Sequence, residues 1–192
     1  TISLHDALPN LRLMMLGAIQ NEKLIYDMGC QIAWQLKRMG VQVNFAPVAD
    51  INNNPDNPVI NSRSFGEDRA NVTRKSLLYM LGLQDNGIIA VAKHFPGHGD
   101  TRVDSHYDLP VIHFNQARLD SIELFPFKEL IYSGIAGIMT GHLSIPSLDS
   151  LEMNPSSLSS AIVDTLLKQE LGFKGLIFTD AMKMKGIANY FD

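Results

Sequence analysis

The stretch Gly87-Ile-Ile-Ala-Val-Ala-Lys93-His94 stops a helical pattern, runs through apolar residues and ends on two ionisable ones. Glycine readily takes the left-handed conformation that closes a helix. An apolar run without polar alternation describes a strand buried on both faces, as strands of a parallel sheet are. The same order lies on either side. Upstream, a helical pattern over roughly Asn21 to Met39, with Leu24, Ile25, Met28, Ile32, Trp34 and Leu36 as its apolar face, meets Gly40 and then Val41–Val48, ending at Asp50. A second pattern, Asp68 to Asn86, feeds the quoted strand. A third, broken near Pro126, stops at Gly134 and leads through Ile135–Gly141 to His142. A fourth, Ser160 to Leu171, meets Gly172, and past Gly175 the run Leu176-Ile-Phe-Thr delivers Asp180.

Strands alternating with helices predict right-handed βαβ units and a parallel sheet. The strand ends recur about 43 residues apart on average, so eight units would take roughly 350 residues, within the range of an eight-stranded barrel. The 192 residues here hold four. The predicted class is therefore α/β, a partial (β/α)₈ barrel of about four consecutive βα units, with a small doubly wound sheet as the alternative. A doubly wound sheet would favour a glycine-rich turn after the first strand, where this chain has Asp50-Ile-Asn-Asn-Asn-Pro55. Both architectures collect ligand groups at the carboxyl ends of the strands. Those ends carry Asp50, Lys93 with His94, His142 and Asp180.

Composition narrows the function. Apolar residues make up 45% and charged residues 19%, the balance of a globular rather than a disordered chain. Sixteen basic against twenty acidic residues give a formal charge of −4 with no long basic run, which argues against nucleic acid as the main partner. The lone Cys30 excludes an intrachain disulfide framework and a cysteine-rich metal site. No apolar run approaches the ~18 residues of a membrane span. The opening Thr1-Ile-Ser-Leu-His5 lacks the basic-then-apolar pattern of a signal peptide, and compartment stays open.

The richest stretch is Lys93-His-Phe-Pro-Gly-His-Gly-Asp-Thr-Arg-Val-Asp-Ser-His106. His94, His98 and His106 suggest a metal site, but the i, i+4 spacing of the first two matters only on a helix, and Pro96, Gly97 and Gly99 argue against one. No metal and no cofactor is expected. A phosphate loop fits less well, because the lysine precedes the glycines and no Gly-Lys-Ser/Thr follows.

With its Lys-His-Phe-Pro-Gly-His-Gly-Asp-Thr and Asp-Ser-His, this segment resembles the signature of family 3 glycoside hydrolases, in their bacterial β-N-acetylhexosaminidase branch. Asn44-Phe-Ala-Pro-Val-Ala-Asp50 is similar to that family's third barrel strand, Asn61-Ser-Arg-Ser-Phe-Gly66 to its substrate-binding arginine loop, and Gly175-Leu-Ile-Phe-Thr-Asp180 to the strand carrying its nucleophile. The resemblance implies a (β/α)₈ barrel of which residues 1–192 supply strands 3–6. It makes Asp180 the nucleophile of a retaining mechanism with a covalent glycosyl–enzyme. It makes His106 the general acid/base and Asp104 the carboxylate that orients it, as in a catalytic triad. Arg63, Lys93 and His94 would bind the sugar, with Lys93 favouring an ionised nucleophile. Asp50 and His142 receive no role beyond support, and His98 is read as shaping its loop.

Two departures accompany the resemblance. The family's earlier Asp-x-Glu-Gly-Gly strand does not occur in this sequence, and Ala181 stands where many relatives have a second aspartate. The chain is accordingly expected to be an internal fragment, lacking two barrel units on each side, whose open sheet edges would pair with the missing portion or with another copy. The implied function is a retaining exo-β-N-acetylglucosaminidase acting on peptidoglycan or chitin-derived sugars in the bacterial cytoplasm or periplasm. The alternatives are a β-glucosidase or glycoside phosphorylase of the same family, or a non-catalytic sugar-binding module.

Overall fold

The computed structural model describes residues 12–188 apart from His106 and Glu152. Four parallel strands lie side by side in chain order: β1 (Val43–Asn44), β2 (Ile89–Phe95), β3 (Gly137–Thr140) and β4 (Leu176–Thr179). The register runs Val43 to Ile89, Val91 to Gly137, and Gly137 to Leu176. This order, with a helical connection before each successive strand, is that of consecutive barrel units. β1 and β4 form the two edges among the described strands.

Helix α1 (Leu13–Gly17) precedes α2 (Lys23–Arg38), and α3 (Arg69–Gln84) follows β1. Ile25, Met28, Gly29 and Ala33 form the buried stripe of α2. Leu24 and Trp34, expected on that stripe, are instead exposed. Each lies one residue from the stripe, a rotation of about 100° on a helix, and Arg38 stacks over the Trp34 ring at 4.7 Å. Helices α2 and α3 approach closely through two glycines. A Cβ on Gly29 would lie 2.8 Å from the Tyr79 carbonyl oxygen, and one on Gly82 would lie 2.9 Å from the Gly29 Cα.

The third predicted helix is two: α4 (Gln116–Ser121) and α5 (Phe125–Tyr132). The interruption falls at 122–124, and Pro126 sits in the first turn of α5, where a missing N–H costs nothing. The fourth helical pattern is the π-wound helix Ala161–Glu170, and a short α6 (Lys185–Ala188) ends the described chain. The first strand is shorter than Val41–Val48 suggests. Beyond Val43–Asn44 the pairing is irregular: the Ala46 and Pro47 carbonyls accept from the Val91 and Lys93 N–H groups at 2.9 and 3.0 Å, and Val48 forms a lone bridge to Lys93. Pro47 has no N–H to donate there.

The core lies between the sheet and the helices on its outer face, around Ile25, Met80, Ala92, Phe95, Phe127 and Ile138. Phe95 and Phe127 meet edge to face at 5.4 Å. On the other face Phe45 and Phe178 touch at 5.1 Å, linking the first strand region to the last.

One buried cation stitches α1 to α3. The Lys75 Nζ donates to the carbonyls of Leu16 (3.0 Å), Gly17 (2.7 Å) and Ile19 (2.6 Å), acting as the cap that α1 lacks in its own sequence. Lys75→Met, which keeps the apolar stem, is expected to lower unfolding free energy by about 2–3 kcal/mol, read as a fall in urea midpoint at unchanged slope. An unchanged midpoint would show that the charged donor contributes nothing.

Candidate active site

A cavity of about 340 Å³ opens at the carboxyl ends of the strands, and Arg63, Lys93, His94 and Asp180 all line it, with Phe45 and Met139. The strands deliver these groups by position. Arg63 comes from the short 3₁₀ turn Asn61–Arg63 that follows β1, and Asp180 from the residue after β4. Lys93 and His94 both reach the cavity because β2 bulges there. Lys93 pairs with Met139 and Phe95 with Thr140, so His94 is the extra residue that re-aims the chain.

Asp50 anchors the inner wall. Its side chain is wholly buried, and its carboxylate accepts from the His94 ring Nδ1 (2.7 Å), from the His94 backbone N–H (3.2 Å) and from the His98 backbone N–H (2.7 Å). Burial alone would raise this carboxyl, but the charge and hydrogen bond of His94, together with the His98 N–H, hold it below the usual carboxylate range. A carboxylate only accepts, so Nδ1 of His94 carries the proton and Nε2 faces the cavity. That Nε2 lies 4.0 Å from Oδ2 of Asp180, whose side chain is 27% exposed. The other oxygen, Oδ1, accepts from the Ala181 backbone N–H at 2.8 Å. Asp180 does not open a helix, since α6 begins at Lys185. Burial lowers the Lys93 ammonium from its ordinary value and Arg63 adds to the effect, while the Asp180 and Asp50 carboxylates oppose it.

The loop after β2 is tied down from several sides. His98 is buried, and burial, followed by the nearby His94 charge, pushes it down to about 4. Its Nδ1 bonds Thr101 Oγ1 (2.8 Å) and its Nε2 bonds Ser105 Oγ (3.1 Å). Asn57 donates to the His98 carbonyl at 2.8 Å, and Arg118 bridges Asp100 to the buried Glu123. Gly99 is required here, because any Cβ would strike the Ile51 carbonyl. Among the described residues, no group of three or more His, Cys, Asp or Glu could hold a metal ion.

The structure thus gathers four of the six residues singled out in the sequence: Asp180, Arg63, Lys93 and His94. Asp104 does not line the cavity, but its neighbour Ser105 does. His106 lies outside the described residues. Asn57, Ser105 and the orienting role of Asp50 were not foreseen. Asp50 was visible as an ionisable strand end and Ser105 stood inside the quoted Asp-Ser-His without a role of its own, whereas Asn57 carried no sequence signal.

Residues 6–192 match the family model described as the glycosyl hydrolase family 3 N-terminal domain, and the chain belongs to that family. Over 171 residues it is 40% identical to β-hexosaminidase A of Pseudoalteromonas piscicida, covering 84% of this chain and 29% of that one. Its fold superposes on a glycoside hydrolase family 3 β-N-acetylglucosaminidase from Paenibacillus sp. str. FPU-7 with a TM-score of 0.90 at 42% identity, covering 93% of this chain and 34% of that one. The β-glucoside phosphorylase BglX gives a TM-score of 0.90 at 28% identity, over 94% of this chain and 34% of that one. The chain therefore spans about a third of the length of each of these proteins.

Proposed function

We propose that residues 1–192 belong to the catalytic barrel of a retaining exo-β-N-acetylglucosaminidase, and that the cavity binds the terminal N-acetylhexosamine. One observation carries this reading. Asp180 has one carboxylate oxygen held by a backbone N–H and the other turned toward His94 in a cavity with Lys93 and Arg63. The name of the Pseudoalteromonas relative supports a hexosamine, and that of the Paenibacillus enzyme supports its N-acetyl form.

In the proposed reaction, Oδ2 of Asp180 attacks the anomeric carbon and the glycosidic C–O bond breaks. Its electron pair stays on the leaving oxygen, which takes a proton from His106. Water then attacks the same carbon, gives its proton back to His106, and the C–O bond to Asp180 breaks. Asp104 orients the His106 ring. Arg63, Lys93 and His94 hold hydroxyls and the acetamido group, and two of them have fixed geometry: the Arg63 fork of donors, and the His94 ring, which Asp50 sets with its Nε2 as an acceptor toward the sugar.

The acid role has a specific test. In the full-length protein, His106→Ala is expected to slow activated aryl N-acetyl-β-glucosaminides about tenfold and sugar-alcohol leaving groups about 10²-fold, since only the latter need the proton. Equal lowering of kcat/KM, which reports the bond-breaking step alone, across a leaving-group series would remove His106 from that role. A second reading is phosphorolysis, favoured by the likeness to a β-glucoside phosphorylase and by a neutral histidine acid/base, which repels phosphate less than a carboxylate would. Sugar 1-phosphate formed in phosphate buffer would establish it, and free sugar alone would exclude it.

A further inference from the structure

We propose that His142 is a positioning residue for the nucleophile: its imidazole bridges Ser157 and the carbonyl of Ala181, and so fixes the backbone that orients the Asp180 carboxylate. This rests on the proposed role of Asp180.

His142 stands two residues past β3 and is fully buried. Its Nδ1 lies 2.8 Å from Ser157 Oγ and its Nε2 lies 3.2 Å from the Ala181 carbonyl oxygen. A carbonyl only accepts, so Nε2 carries a proton and donates to Ala181. The hydroxyl of Ser157 adapts to Nδ1. The Ala181 carbonyl also accepts from the Met184 N–H at 3.0 Å, so both its lone pairs are used. One residue earlier, the Asp180 N–H donates to the Thr140 carbonyl at 2.9 Å. These ties bracket the Ala181 N–H, which is the donor that holds Oδ1 of Asp180. Without the His142 tie, the Ala181 carbonyl is held only by the turn to Met184, so the backbone of residue 181 can shift as a unit and carry its N–H away from Oδ1. The attacking oxygen would then be misplaced relative to the sugar, and attack depends steeply on such placement. The role belongs to positioning, because His142 itself does not line the cavity.

The test uses the full-length protein with His142→Leu, His142→Gln, Asp180→Ala and the His142→Leu/Asp180→Ala double variant. His142→Leu is expected to lower kcat about 10–100-fold with KM within about twofold, equally for good and poor leaving groups. Glutamine, whose amide N–H reaches where Nε2 does, is expected to recover most of that loss. In the Asp180→Ala background the leucine substitution is expected to cost nothing further. Wild-type kcat in His142→Leu, or an equal loss with and without Asp180, overturns the proposal. Should Asp180→Ala retain the wild-type rate, the proposed function fails and this role with it. Asp180→Ala inactive beside a fully active His142→Leu sinks this role alone. Should the leucine variant not fold, glutamine activity and the ring tautomer decide. Imidazole ¹⁵N spectra of the wild type are expected to show a proton on Nε2 of His142, and an unprotonated Nε2 overturns the proposal.

Discussion

Asp180→Ala in the full-length protein is expected to lower the release of an aryl aglycone from an N-acetyl-β-D-glucosaminide by about 10³–10⁵-fold. The size follows from what is removed. Alanine leaves the cavity, Lys93, His94 and Arg63 in place, so substrate still binds, but no group remains to form the glycosyl–enzyme. KM is therefore expected to change far less than kcat. A chemical rescue separates this loss from misfolding. Azide can enter the space vacated by the carboxylate and attack the anomeric carbon from the same side, giving a glycosyl azide of inverted configuration. Activity of the alanine variant within tenfold of wild type would exclude Asp180 as nucleophile, and would favour a sugar-binding role for the site.

Asp50→Asn is expected to lower kcat about 10³-fold and to destabilise the fold by about 2–3 kcal/mol. The substitution is nearly isosteric, so packing is preserved and electrostatics change. Asparagine can present its N–H₂ to Nδ1 of His94, which then accepts; the ring proton moves to Nε2, the nitrogen that faces Asp180. The sugar-facing nitrogen thereby changes from acceptor to donor. The pH profile carries an independent signature. His98, ordinarily near 6.5, titrates at about 4 in the fold. The unfolded chain therefore binds more protons between those values, and stability falls as pH drops from about 6.5 toward 4. Asp50 is held below the usual carboxylate range, so its contribution is present at neutral pH and is lost only as pH falls through its lowered folded value. Asp50→Asn is expected to remove this second loss from a plot of Tm against pH. An asparagine variant with wild-type kcat and an unchanged acid limb would show that the carboxylate neither orients His94 nor stabilises the fold.

The deciding features of the site are contacts between distant segments. Asp50 meets residues 44 and 48 positions later. His142 meets Ala181 39 positions later. Asn57 reaches His98 across 41. No local pattern encodes such pairs, since each arises only when neighbouring strands have set their register. The bulge at His94 belongs with them, because it is defined by a slip against β3 and not by the residues of β2 alone.

Other parts were legible in the chain itself. A helix closed by glycine, then a run too apolar to have a wet face, admits little except a βαβ unit, and the order and parallel sense of the four strands follow. That topology also dictates that Lys93, His94 and Asp180 emerge at one end of the sheet, because parallel strands share a carboxyl edge. Periodicity could not assign Leu24 and Trp34 to solvent, nor shorten the first strand around Pro47. Those outcomes depend on which neighbour covers a face and which backbone groups find partners. The sequence by itself determined which chemical groups would stand at the sheet's carboxyl edge, because strand polarity is a local property. Only the tertiary structure decided how each is oriented, because a hydrogen-bonding direction is set by the atom at its other end.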